Sequence, residues 1–113
     1  MITGKFLGML FQSRDIMHLA HLNTSSFAEH KALNGYYDCI LDLTDKFAEA
    51  YFGRFKRVEI IVPESKILGA VEHLKEIQQL LDGERNNYPS ELQNIIDEML
   101  CLVNKTLYLL TLV

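Results

Sequence analysis

The chain has 113 residues, 49% of them hydrophobic and 23% charged, with a formal net charge of −4. That length fits a single domain over residues 1–113 with a core of its own, and the balance excludes a disordered chain. The acidic sum supplies no basic face for a phosphate backbone, so nucleic acid is not an expected partner.

Apolar residues recur at helical spacing in four segments, which predicts an all-α fold. The first helix is expected from Gly4 to Leu22. Phe6, Leu10, Met17 and Ala20, with Met9 and Ile16, form one apolar face. A second stripe runs Leu7, Phe11, Arg14, His18, Leu22. A helix with two such faces needs a second covering surface, and His18 points at whatever provides it.

Asn23-Thr24-Ser25-Ser26 breaks the pattern, and Ser26 with Glu29 forms a capping box that opens a second helix from Phe27 to Phe52. Leu33, Tyr36, Tyr37, Ile40, Thr44, Phe47 and Tyr51 are its expected core face. His30, Asn34, Asp38, Asp45 and Glu49 share a neighbouring arc. Arg54, Lys56 and Arg57, the one basic cluster, read as a solvated helix end. Val58 to Val62 has strand-like composition but no partner strand, so an apolar crossover is expected there. Pro63 suits a first helical position, and a third helix is expected from it to Leu81 through Ile67, Val71, Leu74, Gln78 and Leu81. Asp82-Gly83 and Asn86-Asn87 mark a turn. A fourth helix opens at Pro89 or Ser90, with Leu92, Ile95, Ile96, Met99, Val103, Thr106, Leu107 and Leu110 inward. Two helices, a longer crossover between helices 2 and 3, and two more helices describe a ferritin-like four-helix bundle.

Cys39 and Cys101 have no zinc-finger spacing and read as free thiols of a reducing, cytoplasmic compartment. The first eleven residues lack a signal-peptide pattern. The apolar stretch Met99–Val113 is broken by Asn104 and Lys105 and is short for a bilayer, so no membrane is expected. Single histidines take ordinary readings: His21 as a surface residue at a frayed helix end, His73 as solvent-facing.

The spaced set His18, His30, Asp45 and Glu49 is different. Imidazoles and carboxylates on facing helices are what a non-haem iron or other transition-metal centre requires. The run His18-Leu-Ala-His21, Phe27-Ala-Glu-His30, Tyr37, Asp45-Lys-Phe-Ala48-Glu49 resembles the Dps-type mini-ferritins over about residues 16 to 50. The resemblance implies a ferroxidase site at a two-fold interface between subunits, with His18 and His30 from one copy and Asp45 and Glu49 from the other. It therefore implies iron, mono- or di-iron, a homodimer or larger oligomer, and oxidation of Fe(II) by peroxide or dioxygen; the same donors would accept zinc. Two positions depart from the family pattern: Asn34 stands where an aspartate is usual, and Leu19 where a tryptophan is. No lysine-rich tail is present, so DNA binding is not implied. The alternative is a non-catalytic oligomeric or adaptor bundle with a degenerate metal set.

Overall fold

The register of apolar side chains is what closes this chain on itself. In the computed structural model, which describes residues 1–65 and 68–113, four helices surround one core: α1 (Thr3–Asn23), α2 (Phe27–Arg54), α3 (Ala70–Glu84) and α4 (Ser90–Leu110). A short 3-10 turn, Arg85–Asn87, links the last two, and no strand occurs among the described residues.

Helix α1 packs on α2, α2 on α4, α4 on α3, and α3 on α1. Directions follow from paired residues. Phe6 meets Phe47 while His21 meets His30, so α1 and α2 are antiparallel. Arg54 pairs with Glu91 and Lys46 with Glu98, which makes α2 and α4 antiparallel. Gln78 bonds Asn104 and Arg85 bonds Asp97, setting α3 against α4 in the same sense.

The core is built from the expected rows. Phe6, Leu7, Leu10 and Met17 of α1 are fully buried, as are Leu33, Tyr36, Ile40 and Phe47 of α2. On α4, Leu92, Ile96, Met99 and Val103 are fully buried. Removing such side chains from water is worth about 1.5–3 kcal/mol each. The turn before α2 carries half of the expected capping box. Ser26 Oγ accepts from the Glu29 backbone N–H at 3.2 Å, while the Ser26 N–H is taken by Thr24 Oγ1 at 3.1 Å and not by the Glu29 side chain.

The third helix differs from expectation. It starts at Ala70, seven residues after Pro63, with Gly69 as its N-cap. Residues 58–63 stay non-helical because their backbone is engaged by α1. The Ile61 N–H donates to the Gly4 carbonyl at 3.0 Å, and Gln12 Nε2 donates to the Pro63 carbonyl at 2.6 Å. The connector thus runs beside α1 in the same direction. Gly4 and Gly8 make this possible: a methyl group on either would collide with the carbonyl of Glu59 or of Ile61. Ile67, expected on the inner row, lies outside the described residues. The buried residues of α3 are His73, Leu74, Ile77, Leu81 and Glu84; of the predicted row, Val71 is exposed and Gln78 is half-buried.

Candidate functional site

The α1–α2 turn brings three histidines together. His21 and His30 face each other across it, rings stacked with centroids 3.5 Å apart. His21 Nδ1 lies 2.6 Å from the His30 carbonyl oxygen, and His30 Nδ1 lies 2.9 Å from the His21 carbonyl oxygen. A carbonyl only accepts, so each Nδ1 carries a proton, which leaves Nε2 as the ring nitrogen open to another partner. His18, one turn earlier on α1, stacks on Tyr37 at 4.2 Å and meets the His21 ring edge at 6.0 Å. The Arg14 guanidinium also lies over the Tyr37 ring, 5.4 Å from its centre.

His21 is therefore not a frayed surface residue. It is 6% exposed, and it lies beside both histidines of the predicted set. The H-x-x-H spacing with His18 was the one sequence signal for it; its burial came from position, at the last turn of α1 facing the first turn of α2.

Asp45 and Glu49 sit elsewhere. Both are exposed on α2, fifteen and nineteen residues beyond His30. At 1.5 Å per residue these are about 22 and 28 Å along the helix axis. One chain thus places the imidazoles at one end of the α1–α2 pair and the carboxylates towards the other. Among the described residues, no group of three or more His, Cys, Asp or Glu within the chain could hold a metal ion. His30 has the second-nitrogen hydrogen bond to a backbone carbonyl that orients a ligating imidazole. Asn34 is engaged: its Oδ1 accepts from Tyr37 Oη at 2.7 Å and its Nδ2 donates to Asp38 at 3.2 Å.

A second polar cluster, which the periodicity did not expose, crosses the core. Ser13 Oγ lies 2.6 Å from Tyr36 Oη and 2.7 Å from His73 Nε2, joining α1, α2 and α3. Ser13 and Tyr36 are fully buried, and His73 is 6% exposed rather than solvent-facing. Burial pushes the Tyr36 phenol well above its usual range, partly offset by the bond to Ser13. Burial pulls the His73 imidazole below its usual value, against the opposing charge of Glu76. The available signal was Ser13 itself, which falls in the inward row Phe6, Leu10, Ser13, Met17.

Cys39 and Cys101 are both exposed and unpaired. No helix among the described residues is long and apolar enough to cross a membrane.

Residues 21–110 match the family model described as Family of unknown function (DUF5856). A protein of Enterobacteria phage T4, described as an uncharacterized 14.6 kDa protein in the mobD-ri intergenic region, is 31% identical over 114 residues, covering 97% of this chain and 88% of its own. No solved structure matches the chain.

Proposed function

The chain belongs to the DUF5856 family, and we propose that it is a ferritin-like, Dps-like bundle that pairs with a second copy and binds iron between them. Antiparallel neighbours around the ring α1, α2, α4, α3, with the connector returning beside α1, support ferritin-like connectivity with a crossover between α2 and α3. One observation carries the functional reading. His30 offers a pre-oriented Nε2, with His18 nearby on α1, while Asp45 and Glu49 lie about 22 and 28 Å away on the same helix. Only a second, antiparallel copy would bring the two halves to bonding distance. Leu19, Leu22 and Phe27, which are 60%, 64% and 73% exposed beside these histidines, would form the apolar rim of that interface.

Iron is the substrate in this reading. Two imidazoles and two carboxylates would bind Fe(II), and the carboxylate charge favours the Fe(III) formed when peroxide or dioxygen takes up the electron. Zinc would be held by the same donors without redox chemistry. The exposed thiols accord with a reducing, cytoplasmic setting.

The second reading is a non-catalytic oligomeric module whose metal set has decayed. The engagement of Asn34 by Tyr37 and Asp38 favours it, since the neutral amide sits where a carboxylate would serve a second iron.

The test is metal content by elemental mass spectrometry after anaerobic loading with Fe(II), with the mass in solution taken alongside. One or two irons per chain in a dimer or larger species are expected, lost in His30→Ala and in Asp45→Ala. Mixing those two variants is expected to restore about a quarter of the binding, because about half of the dimers are then mixed and each of those has one of its two sites intact. Asn34→Asp is expected to raise the iron count. A metal-free monomer sinks the proposal; a metal-free oligomer leaves the second reading standing.

A further inference from the structure

A half-enclosed cavity of about 250 Å³ lies between α1, the connector and α3, away from the histidines of the α1–α2 turn. Met9, Ile16, Leu68 and Ile77 give it apolar walls. Two polar side chains on the same lining are held in place, Gln12 by the Pro63 carbonyl and His73 by Ser13 in the core.

The hydrogen-bond inventory fixes the state of His73. The fully buried Tyr36 hydroxyl has Ser13 Oγ as its partner, so it donates there. Ser13 then donates its single proton to His73 Nε2. His73 is thereby neutral, with its proton on Nδ1. Among the described residues that N–H has no protein acceptor, and Arg14 Nε is the buried side-chain atom left without a partner. The His73 Nδ1–H is therefore not sealed in the core; it reaches the space its ring lines. Gln12 supplies the complement. Its Nε2 is fixed by the Pro63 carbonyl at 2.6 Å, which leaves Oε1 as an acceptor.

The charged groups around the cavity nearly cancel. Lys5 and the Met1 ammonium stand against Glu64 and Glu76, and the Met1 ammonium is also paired with Glu84 at 3.5 Å. A net anionic or cationic ligand gains little from that balance. The volume lies above the 150 Å³ or so that holds benzene and below the roughly 300 Å³ of drug-sized pockets.

We propose that this cavity binds a small neutral ring compound carrying a carbonyl beside an N–H, the carbonyl accepting from His73 Nδ1–H and the N–H donating to Gln12 Oε1. The site is independent of any metal chemistry at His18 and His30. It uses a core hydrogen-bond relay, Tyr36 to Ser13 to His73, as a positioning device for one donor.

The probe is 2-quinolinone, titrated into the full chain and followed by nuclear magnetic resonance of the His73 ring nitrogens and of the methyl groups of Met9 and Ile77. The free protein is expected to show a protonated Nδ1. Saturable binding is expected to shift the Nδ1–H resonance and both methyl groups. N-methyl-2-quinolinone, which lacks the N–H, is expected to bind at least fivefold more weakly. Met9→Trp, which fills the cavity and leaves the relay untouched, is expected to abolish binding. His73→Phe is expected to weaken it about tenfold where that variant folds. Absence of saturable binding at millimolar probe, binding that leaves the Nδ1–H resonance in place, or binding that survives Met9→Trp overturns the proposal.

Discussion

His21 and His30 hold each other's main chain: each donates its Nδ1–H to the other's carbonyl, at 2.6 and 2.9 Å, with the two rings stacked between. This reciprocal clamp joins the last turn of α1 to the first turn of α2. It satisfies two carbonyls and fixes the angle at which the helices diverge. His21→Phe keeps the stacked ring and removes one bond. It is expected to cost about 1 kcal/mol in urea unfolding and to speed amide exchange over residues 22–28. His18→Phe, whose parent ring stacks on Tyr37, is expected to change stability by less than about 0.5 kcal/mol.

Ser13 is the hinge of the buried relay, and its removal strands two groups at once. Ser13→Ala is expected to destabilise the fold by about 2 kcal/mol, since Tyr36 Oη and His73 Nε2 both lose their partner. In the Ser13→Ala background, Tyr36→Phe is expected to be neutral or stabilising, because it deletes an orphaned hydroxyl. In the parent background the same change is expected to destabilise. A double-mutant cycle measured by denaturation checks this coupling.

His73 predicts a pH dependence. Its folded pKa lies below the usual value, chiefly through burial. The unfolded chain therefore takes up this proton near pH 6.5 or so, before the folded chain does. Between the two pKa values the unfolded state binds more protons, so stability rises with pH there and falls on acidification. The melting temperature is expected to drop as pH falls from 7 towards 5, and His73→Gln is expected to flatten that part of the curve. Asp97 acts in a lower window: the hydrogen bond from Arg85 holds its carboxyl below the usual range, so its contribution is lost only on further acidification.

Gly8 and Gly35 are expected to respond oppositely to alanine. A methyl group at Gly8 meets the Ile61 carbonyl and pushes the connector off α1, with an expected cost of about 2–3 kcal/mol. Gly35 lies on the exposed side of α2 with nothing within 4 Å of an added methyl group. Gly35→Ala is expected to stabilise by about 0.5–1 kcal/mol through helix propensity. Parallel urea titrations of the two variants measure both.

Much of the fold was legible because α1, α2 and α4 repeat apolar residues at helical spacing over many turns. Leu33, Tyr36, Ile40 and Phe47 face the core for that reason alone, and so do Leu92, Ile96, Met99 and Val103. The start of α3 was not legible, because Pro63 suits a helix N-terminus as well as it suits an extended strap. The deciding partners are Gly4 and Gln12, more than fifty residues earlier in the chain. A trace of this lay in the spacing Gly4-x-x-x-Gly8, which clears one stripe of α1 for a close backbone approach.

The candidate site divides in the same way. His18, His30, Asp45 and Glu49 could be picked out by residue type and spacing. The separation of His30 from Asp45 and Glu49 along α2 also follows from helix geometry once the helix is known. His21 and His73 could not be placed, since a lone histidine carries no pattern and its burial depends on which carbonyl or hydroxyl faces it.

The sequence by itself determined that there are four helices, the apolar faces of α1, α2 and α4, and the acidic net charge, because those follow from local periodicity and composition. Only the tertiary structure decided the path of the connector, the protons on three histidines and the cavity beside His73. Each of these depends on contacts between residues far apart in the chain, where a single carbonyl or hydroxyl within hydrogen-bond distance settles a state that residue type leaves open.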